Sequence, residues 1–581
     1  MTRALLAVLL ALLFLGSAAA QADTKRPNVL LLITDDQGHG DLGCHGNPII
    51  RTPHLDRLAQ QGVQLTSFYV MPVCSPTRAC LLTGRYNYRT GVVDTFLGRS
   101  LMHPDEVTLA ELLGAAGYRT GIFGKWHLGD NYPMRPIDQG FQEALVLKGG
   151  GIGQPSDPPG GSSYFDPILQ HNGKPEKTKG YCSDVFTDAA IRFIEQQREQ
   201  PFFVYLAFNA PHAPLQVPDR YYEPYRKRNL KVEDFPAVGH PIGGKFDPDV
   251  TARVYGMVTN IDDNLGRLFA RLDELKLADD TIVIFLTDNG PQQPRYNSGM
   301  LQRKGSVHEG GIRVPCFVRW PAQLPAGRKV ERIAAHIDIA PTLLDACGVK
   351  KPAKLAFDGT SLLPLLKGEK VDWPDRTLYF QWHRGDVPQL YCACAARSQK
   401  YKLVQPLGAA DGKAPAKPVF KLYDMEKDPL EMRDIADQHP DIVAKMRQGY
   451  EAWFKDVSST RGYAPPRIRL GSPHENPSTL TRQDWRGPRA GWAATSLGHW
   501  EVEVERPGTY TITLTLAEAK EGGTAHFALL GVEAKKDVKA GARECTFEAV
   551  KLPAGAGKLE AWLAQGKETV GVQYVEVKRV D

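Results

Sequence analysis

NVLLLITDDQG, residues 28–38, sets an unbroken apolar run, Val29 to Ile33, directly against two carboxylates, Asp35 and Asp36. A run without polar alternation is the pattern of a strand buried on both faces, which means a parallel sheet covered by helices. RTGIF at 119–123, FFVYLAF at 202–208 and TIVIFLT at 281–287 repeat it. Between these runs lie amphipathic stretches such as TPHLDRLAQQG at 52–62 and VTLAELLGAAG at 107–117. Strands alternating with helices predict an α/β fold: a large mixed, mostly parallel sheet sandwiched by helices, over residues 23–375.

The pattern then changes twice. TLYFQW, QLYCACAARSQKYKLV and FKLYDME, followed by a helical stretch from Asp441 to Phe454, predict a small antiparallel sheet plus helix over 376–456. A Ser, Pro and Arg-rich stretch, 457–480, reads as a linker. In the tail, apolar residues recur on a period of two: Trp500, Val502 and Val504; Tyr510, Ile512, Leu514 and Leu516; Leu559, Ala561 and Leu563; Val570, Val572, Tyr574 and Val577. With turns such as Pro507-Gly508 between them, 481–581 reads as an additional all-β sandwich module.

The 581 residues carry a formal charge of only +5, without a long basic run, which argues against a nucleic-acid partner. Arg3, the apolar stretch Ala4–Leu15 and the small residues after it make 1–22 a secretory signal, cut between about Ala20 and Asp23. The segment is too short for a stable membrane insertion, and no cysteine near the cut offers a lipid anchor. Export, periplasmic or secreted, would permit disulfides, for instance at Cys392 or Cys394, although nine cysteines are odd and sparse for this length.

Ligands of open parallel sheets bind at the carboxyl ends of the strands. Here one strand ends in Asp35 and Asp36, another in Asp288 and Asn289, a third in Lys125 and His127, and a fourth in Asn209 and His212. Three carboxylates and an amide oxygen form a hard-oxygen set suited to Ca²⁺ or Mg²⁺ and poor for zinc. Arg78, Lys125, Lys304, His127 and His212 supply the surrounding cationic and imidazole groups. A divalent cation among such groups implies a compact, highly charged oxyanion as substrate, hence sulfuryl or phosphoryl transfer.

VMPVCSPTRACLLTGRY, residues 70–86, adds a cysteine at a predicted helix start, with Ser75 as cap and Pro76 at the first helical position. Exposed N–H groups there and Arg78 one turn in would hold an oxyanion at Cys74. Thiolate chemistry does not explain the cysteine. Three residues separate Cys74 from Arg78, whereas a tyrosine-phosphatase loop needs five, and a hard cation prefers oxygen to sulfur.

CSPTRACLLTGR resembles the signature of the formylglycine-dependent sulfatases, of the alkaline phosphatase superfamily. The resemblance runs from about residue 27 to 455 through TDDQGHGDLGCHGN, TPHLDRLAQQGV, GKWHLG, NAPHAP, TDNG, EGGIRVP, DIAPTLLDACG and YDMEKDPLE. It implies that a maturation enzyme oxidises Cys74 to formylglycine, whose hydrate is an oxygen nucleophile toward sulfur. It further implies Asp35, Asp36, Asp288 and Asn289, with the modified Cys74, as ligands of Ca²⁺ rather than Mg²⁺. Arg78 and Lys125 would stabilise the aldehyde hydrate; Lys125, His212 and Lys304 would grip the sulfate; His212 or Lys304 would protonate the leaving alcohol; and His127 would take the second diol proton. The implied substrate is a sulfated carbohydrate or an aryl sulfate, in glycan degradation. A phosphonate monoester or phosphodiester hydrolase of the same superfamily is one competing reading, and an inactive secreted glycan-binding protein is another.

Overall fold

The computed structural model describes residues 26–409, 412–519 and 521–581; the secretory reading of 1–22 falls outside them. A ten-stranded sheet organises the first part, with strands β1 (Asn28–Thr34), β2 (Val63–Leu65), β3 (Arg119–Lys125), β4 (Glu143–Leu147), β5 (Ile168–His171), β6 (Lys174–Lys177), β7 (Phe202–Ala207), β8 (Thr281–Thr287), β9 (Cys316–Arg319) and β10 (Lys329–Val330). Their order is β10-β2-β9-β8-β1-β7-β3-β4-β5-β6. The strands from β8 through β4 run parallel, while β9, β5 and β6 join by antiparallel pairings. The sheet is therefore mixed and mostly parallel at its centre, as the apolar runs predict.

Successive β1 side chains serve two cores, because side chains alternate across a strand. Val29, Leu31 and Ile33 pack with helices α2 (Cys74–Thr83), α3 (Leu109–Ala115) and α6 (Ile339–Ala346). Leu30 and Leu32 face helices α1 (Pro53–Gln61), α4 (Cys182–Gln197) and α5 (Pro248–Glu274). α3 starts with a capping box: the Thr108 hydroxyl accepts from the Glu111 N–H, and the Glu111 carboxylate accepts from that of Thr108. Such a cap contributes about 1 kcal/mol and fixes where the helix begins.

A second, four-stranded sheet follows: β11 (Leu378–Gln381), β12 (Cys394–Arg397), β13 (Tyr401–Gln405) and β14 (Lys421–Asp424), antiparallel throughout, with helix α7 (Pro440–Ser459) against it. Phe380, Val404, Tyr450 and Trp453 share a core with Tyr69, Met71, Cys80 and Tyr86, so this sheet closes over the back of α2. No disulfide ties Cys392 or Cys394 to a neighbour; the Cys392 thiol donates instead to the Gly408 carbonyl, at 2.8 Å.

The tail forms two facing sheets. One is built from β15 (Ile468–Leu470), β17 (His499–Val504), β22 (Gly555–Gln565), β19 (Gly523–Leu529) and β20 (Val532–Val538), with β23 (Glu568–Gly571) beside β22. The other is β16 (Ser478–Thr481), β24 (Tyr574–Arg579), β18 (Gly508–Ala519) and β21 (Ala542–Leu552). Two sequence expectations are corrected here. The stretch 457–480 is not simply a linker, since β15 and most of β16 lie within it and pair into the sandwich. In β24 the inward residues are Val575 and Val577, and Tyr574 is only half-buried, because the break after Gly571 resets the alternation. Leu97, Leu101 and Met134 of the first unit are buried in the same core as Trp485 and Trp500, so the sandwich and the α/β unit share apolar packing. Among the described residues, no helix is long and apolar enough to cross a membrane.

Candidate active site

β8, β1, β7 and β3 are consecutive neighbours and parallel, so their carboxyl ends reach the same edge of the sheet. Thr34 pairs in register with Thr287, which brings Asp35 and Asp36 beside Asp288 and Asn289. All four side chains are fully buried. Asp36 and His127 adopt φ of +63° and +61°, a left-handed conformation uncommon outside glycine. Strain of this kind, of order 1 kcal/mol each, is characteristic of positions where the fold aims a functional side chain.

The charges interlock. Arg78 donates to Asp288 through Nε (3.2 Å) and Nη2 (2.8 Å), and through Nη1 to the Lys125 carbonyl (3.0 Å). Lys125 is paired with Asp35, and the Lys304 ammonium lies 2.6 Å from Asp36 Oδ1. The Asn289 amide donates to the same Asp36 oxygen at 2.8 Å. Burial alone would raise Asp35, but Lys125, His212, Arg78 and Lys304 hold it below the usual carboxylate range. Burial and the charge of Asp35 push Asp288 up to about 7, against the pull of Arg78.

Asp35 Oδ1, Asp36 Oδ2 and Asn289 Oδ1 are buried acceptors without a hydrogen-bond partner. Leaving a buried acceptor unmet costs about 1–3 kcal/mol, so unmet oxygens at the ends of two adjacent strands call for a ligand. Ligand atoms of Asp35, Asp288 and Cys74 lie within 4.8 Å of one another, as do those of Asp35, Asp36 and His212. This donor set fits a hard divalent cation: the unmet atoms are oxygens, and crowded carboxylates gain from neutralisation.

α2 begins at Cys74, two positions earlier than a Ser75 cap, which would make Pro76 the first helical residue, would place it. Val73 occupies the cap position, and the Ser75 hydroxyl is buried without a partner. The helix N-terminus nonetheless sits at the cation set, as expected. Burial raises the Cys74 thiol, against Lys125 and Lys304, which disfavours a thiolate. Burial also lowers both imidazoles, keeping them neutral. His127 Nε2 donates to the Thr95 carbonyl at 2.7 Å, and His212 Nδ1 to the Ala213 carbonyl at 2.6 Å. His212 Nε2 is 3.8 Å from Asp36 Oδ2.

A cavity of about 340 Å³ opens over these groups, with Cys74, His127, His212 and Lys304 in its wall. Arg78 and Lys125 do not line it; they lie behind, on Asp288 and Asp35. Glycines let one loop approach both histidines: a Cβ on Gly150 would stand 2.7 Å from the His127 ring, and one on Gly151 3.0 Å from His212 Nδ1. The remaining wall includes Phe96, Gln154, Gln292, Trp382, Arg384 and Trp492, which the sequence reading does not single out as site residues. Adjacent to Arg384, His383 is buried and outside the wall.

A family model described as Sulfatase matches residues 27–349, and one described as N-sulphoglucosamine sulphohydrolase, C-terminal, matches 300–454. The chain is 34% identical to N-acetylgalactosamine-6-sulfatase of Canis lupus familiaris over 412 residues, 65% of this chain and 72% of that protein. It is 32% identical to arylsulfatase A of Bos taurus over 486 residues, 75% and 88% of the two chains. A crystal structure of Ps i-CgsB in complex with k-i-k-neocarrahexaose superimposes with a TM-score of 0.63 at 28% identity, covering 76% of this chain and 95% of that one. More than half of the chain matches that one family model, and relatives named as sulfatases align over most of their own length: the protein belongs to the sulfatase family, of the alkaline phosphatase superfamily, and is a sulfuric ester hydrolase.

Proposed function

We propose that this sulfatase hydrolyses sulfate esters of a carbohydrate, using Cys74 matured to formylglycine beside a Ca²⁺ held by Asp35, Asp36, Asp288 and Asn289. The observation that carries the reading is the set of three unmet buried oxygens on Asp35, Asp36 and Asn289 close to Cys74, ringed by lysine, arginine and histidine. Bound there, Ca²⁺ supplies positive charge for the sulfate oxygens and for the nucleophile. Matured Cys74 would supply a hydrated aldehyde whose hydroxyl attacks sulfur, its proton passing to the carboxylate of Asp288, which lies within 4.8 Å of the residue-74 side chain.

This chain's own groups divide the remaining work. Lys125 and Lys304 are the counter-ions of Asp35 and Asp36; with those carboxylates occupied by a cation, Lys304 in the cavity wall is free to contact the sulfate, and Lys125 adds its charge from behind Asp35. Arg78 keeps Asp288 oriented and stabilises the negative charge around Cys74. As the S–O bond breaks, the departing alcohol takes a proton from the Lys304 ammonium or from His212, which must first be protonated at Nε2 because its Nδ1–H is committed to the Ala213 carbonyl. The second hydroxyl proton, whose removal releases sulfate and restores the aldehyde, goes to His127 Nδ1, since Nε2 already donates to Thr95. Supporting a carbohydrate substrate are the relatives named N-acetylgalactosamine-6-sulfatase and the oligosaccharide complex of Ps i-CgsB. The leader reading of 1–22 supports export to the periplasm or medium, and the cysteine motif supports a formylglycine-generating partner.

The test is sulfate release from a panel of sulfated glycans, with a phosphodiester as control, before and after chelation. Turnover of a sulfated saccharide that stops on chelation and returns with Ca²⁺ supports the reading. Activity indifferent to chelation, or faster hydrolysis of the phosphodiester, contradicts it.

A further inference from the structure

Trp492 stands where packing does not require it. It lies in the Gly-rich segment between β16 and β17 and is 40% exposed, yet it lines the same cavity as Cys74, His212 and Lys304. Its segment is fixed by one buried guanidinium. Arg482 donates to the carbonyls of Trp492 (3.4 Å) and Ala493 (2.8 Å), and also to Val572 (2.8 Å) and Gly571 (2.7 Å) on the sandwich. The sandwich thus holds an exposed indole at the mouth of a charged pocket in the α/β unit.

The indole continues a row of aromatic and cationic groups. Phe96 meets Trp492 edge-on, with ring centroids 5.4 Å apart. The Arg384 guanidinium lies 4.7 Å from the Phe96 ring centre and 5.2 Å from that of Trp382. Trp382 donates to Asp94 at 3.2 Å and backs onto Gly305 so closely that a Cβ there would stand 2.8 Å from its ring. Gly305 follows Lys304, so the row runs from the sulfate end of the cavity to the module. Flat apolar faces interrupted by a fixed cation suit a pyranose ring, whose C–H face stacks on an aromatic and whose acidic substituents need a counter-ion.

We propose that Trp492 is a substrate-binding residue: with Phe96 and Trp382 it forms the stacking wall for a sugar ring of the substrate, while Arg384 takes an anionic substituent. The C-terminal sandwich is then a wall of the active site rather than an appended binder acting elsewhere. The inference rests on the sulfated-carbohydrate reading above.

The experiment compares the full-length enzyme with Trp492→Ala and Trp492→Phe on oligosaccharides of chondroitin sulfate, heparin and carrageenan, and on 4-nitrophenyl sulfate. For the oligosaccharide that the wild type desulfates, Trp492→Ala raises KM about tenfold or more with kcat little changed, and Trp492→Phe restores most of the loss. Its kcat/KM on 4-nitrophenyl sulfate, too small to span the wall, stays near the wild-type value. An unchanged oligosaccharide KM, or equal losses on both substrates, overturns the proposal alone. A wild type that hydrolyses 4-nitrophenyl sulfate and no oligosaccharide overturns it together with the carbohydrate reading.

Discussion

His127 and Gln483 share one acceptor: the imidazole Nε2–H and the glutamine amide both donate to the Thr95 carbonyl, at 2.7 and 2.9 Å. One donor comes from the end of β3, the other from the segment just after β16 in the sandwich. A carbonyl can only accept, so His127 carries its proton on Nε2, and its buried, unpartnered Nδ1 is the basic nitrogen.

Gln483 is on this account a positioning residue. Replacing it with leucine removes one of the two hydrogen bonds to the Thr95 carbonyl and loosens the ring that carbonyl orients. Steady-state kinetics of Gln483→Leu should show kcat reduced about five- to tenfold, the equivalent of one hydrogen bond, with KM little altered. An unchanged kcat would show that Thr95 is held well enough without the module.

The two histidines act at different stages. A nitrophenol leaving group needs little protonation, so an aryl sulfate should rescue whichever of His212→Ala and Lys304→Ala has lost the general acid, by about 10²-fold or more relative to a sugar sulfate. His127→Ala should gain nothing from the better leaving group. In rapid-quench measurements it should release a first equivalent of nitrophenol and then stall. No such burst for His127→Ala, with a burst for His212→Ala, would reverse the assignment.

Lys402, on β13, lies buried between Glu309 (2.8 Å) and Glu431 (2.9 Å), tying the turn that follows Lys304 to the small antiparallel sheet. Lys402→Met leaves two buried carboxylates without their cation and should cost about 3 kcal/mol or more, read by thermal or denaturant unfolding. Burial alone would raise Glu431, but Lys402, with His308 and the Glu309 N–H, holds it down at about 2, below its ordinary 4.5. A depressed carboxylate stabilises fully above its unfolded value and loses that contribution as pH falls toward the folded one. Melting temperatures recorded downward from pH 4.5 should therefore fall less steeply for Glu431→Gln than for the wild type; parallel curves would refute the linkage.

The strand ends were legible because Val29–Ile33 and Ile282–Leu286 admit only a doubly covered strand, and residues following parallel neighbours must meet at one edge. The cap of α2 lies two residues earlier than the expected Ser75, because Val73 supplies the extended conformation and backbone entry. Trp492 and Gln483 were not legible. Their place at the site depends on how a sandwich of period-two strands docks onto loops hundreds of residues earlier, through Leu97, Leu101 and Met134, and no local pattern encodes that docking. β16 escaped for a related reason: a short polar strand such as STLT, 478–481, draws its stability from cross-strand partners, here Tyr574 to Val577, rather than from its own composition.

The central claim is an oxygen nucleophile at residue 74, and mass spectrometry of the peptide spanning 70–85 from an active preparation tests it most directly. The account predicts an aldehyde in place of the Cys74 thiol, present in proportion to specific activity and captured by a carbonyl-reactive hydrazide. A fully active enzyme whose Cys74 is entirely an unmodified thiol would contradict it.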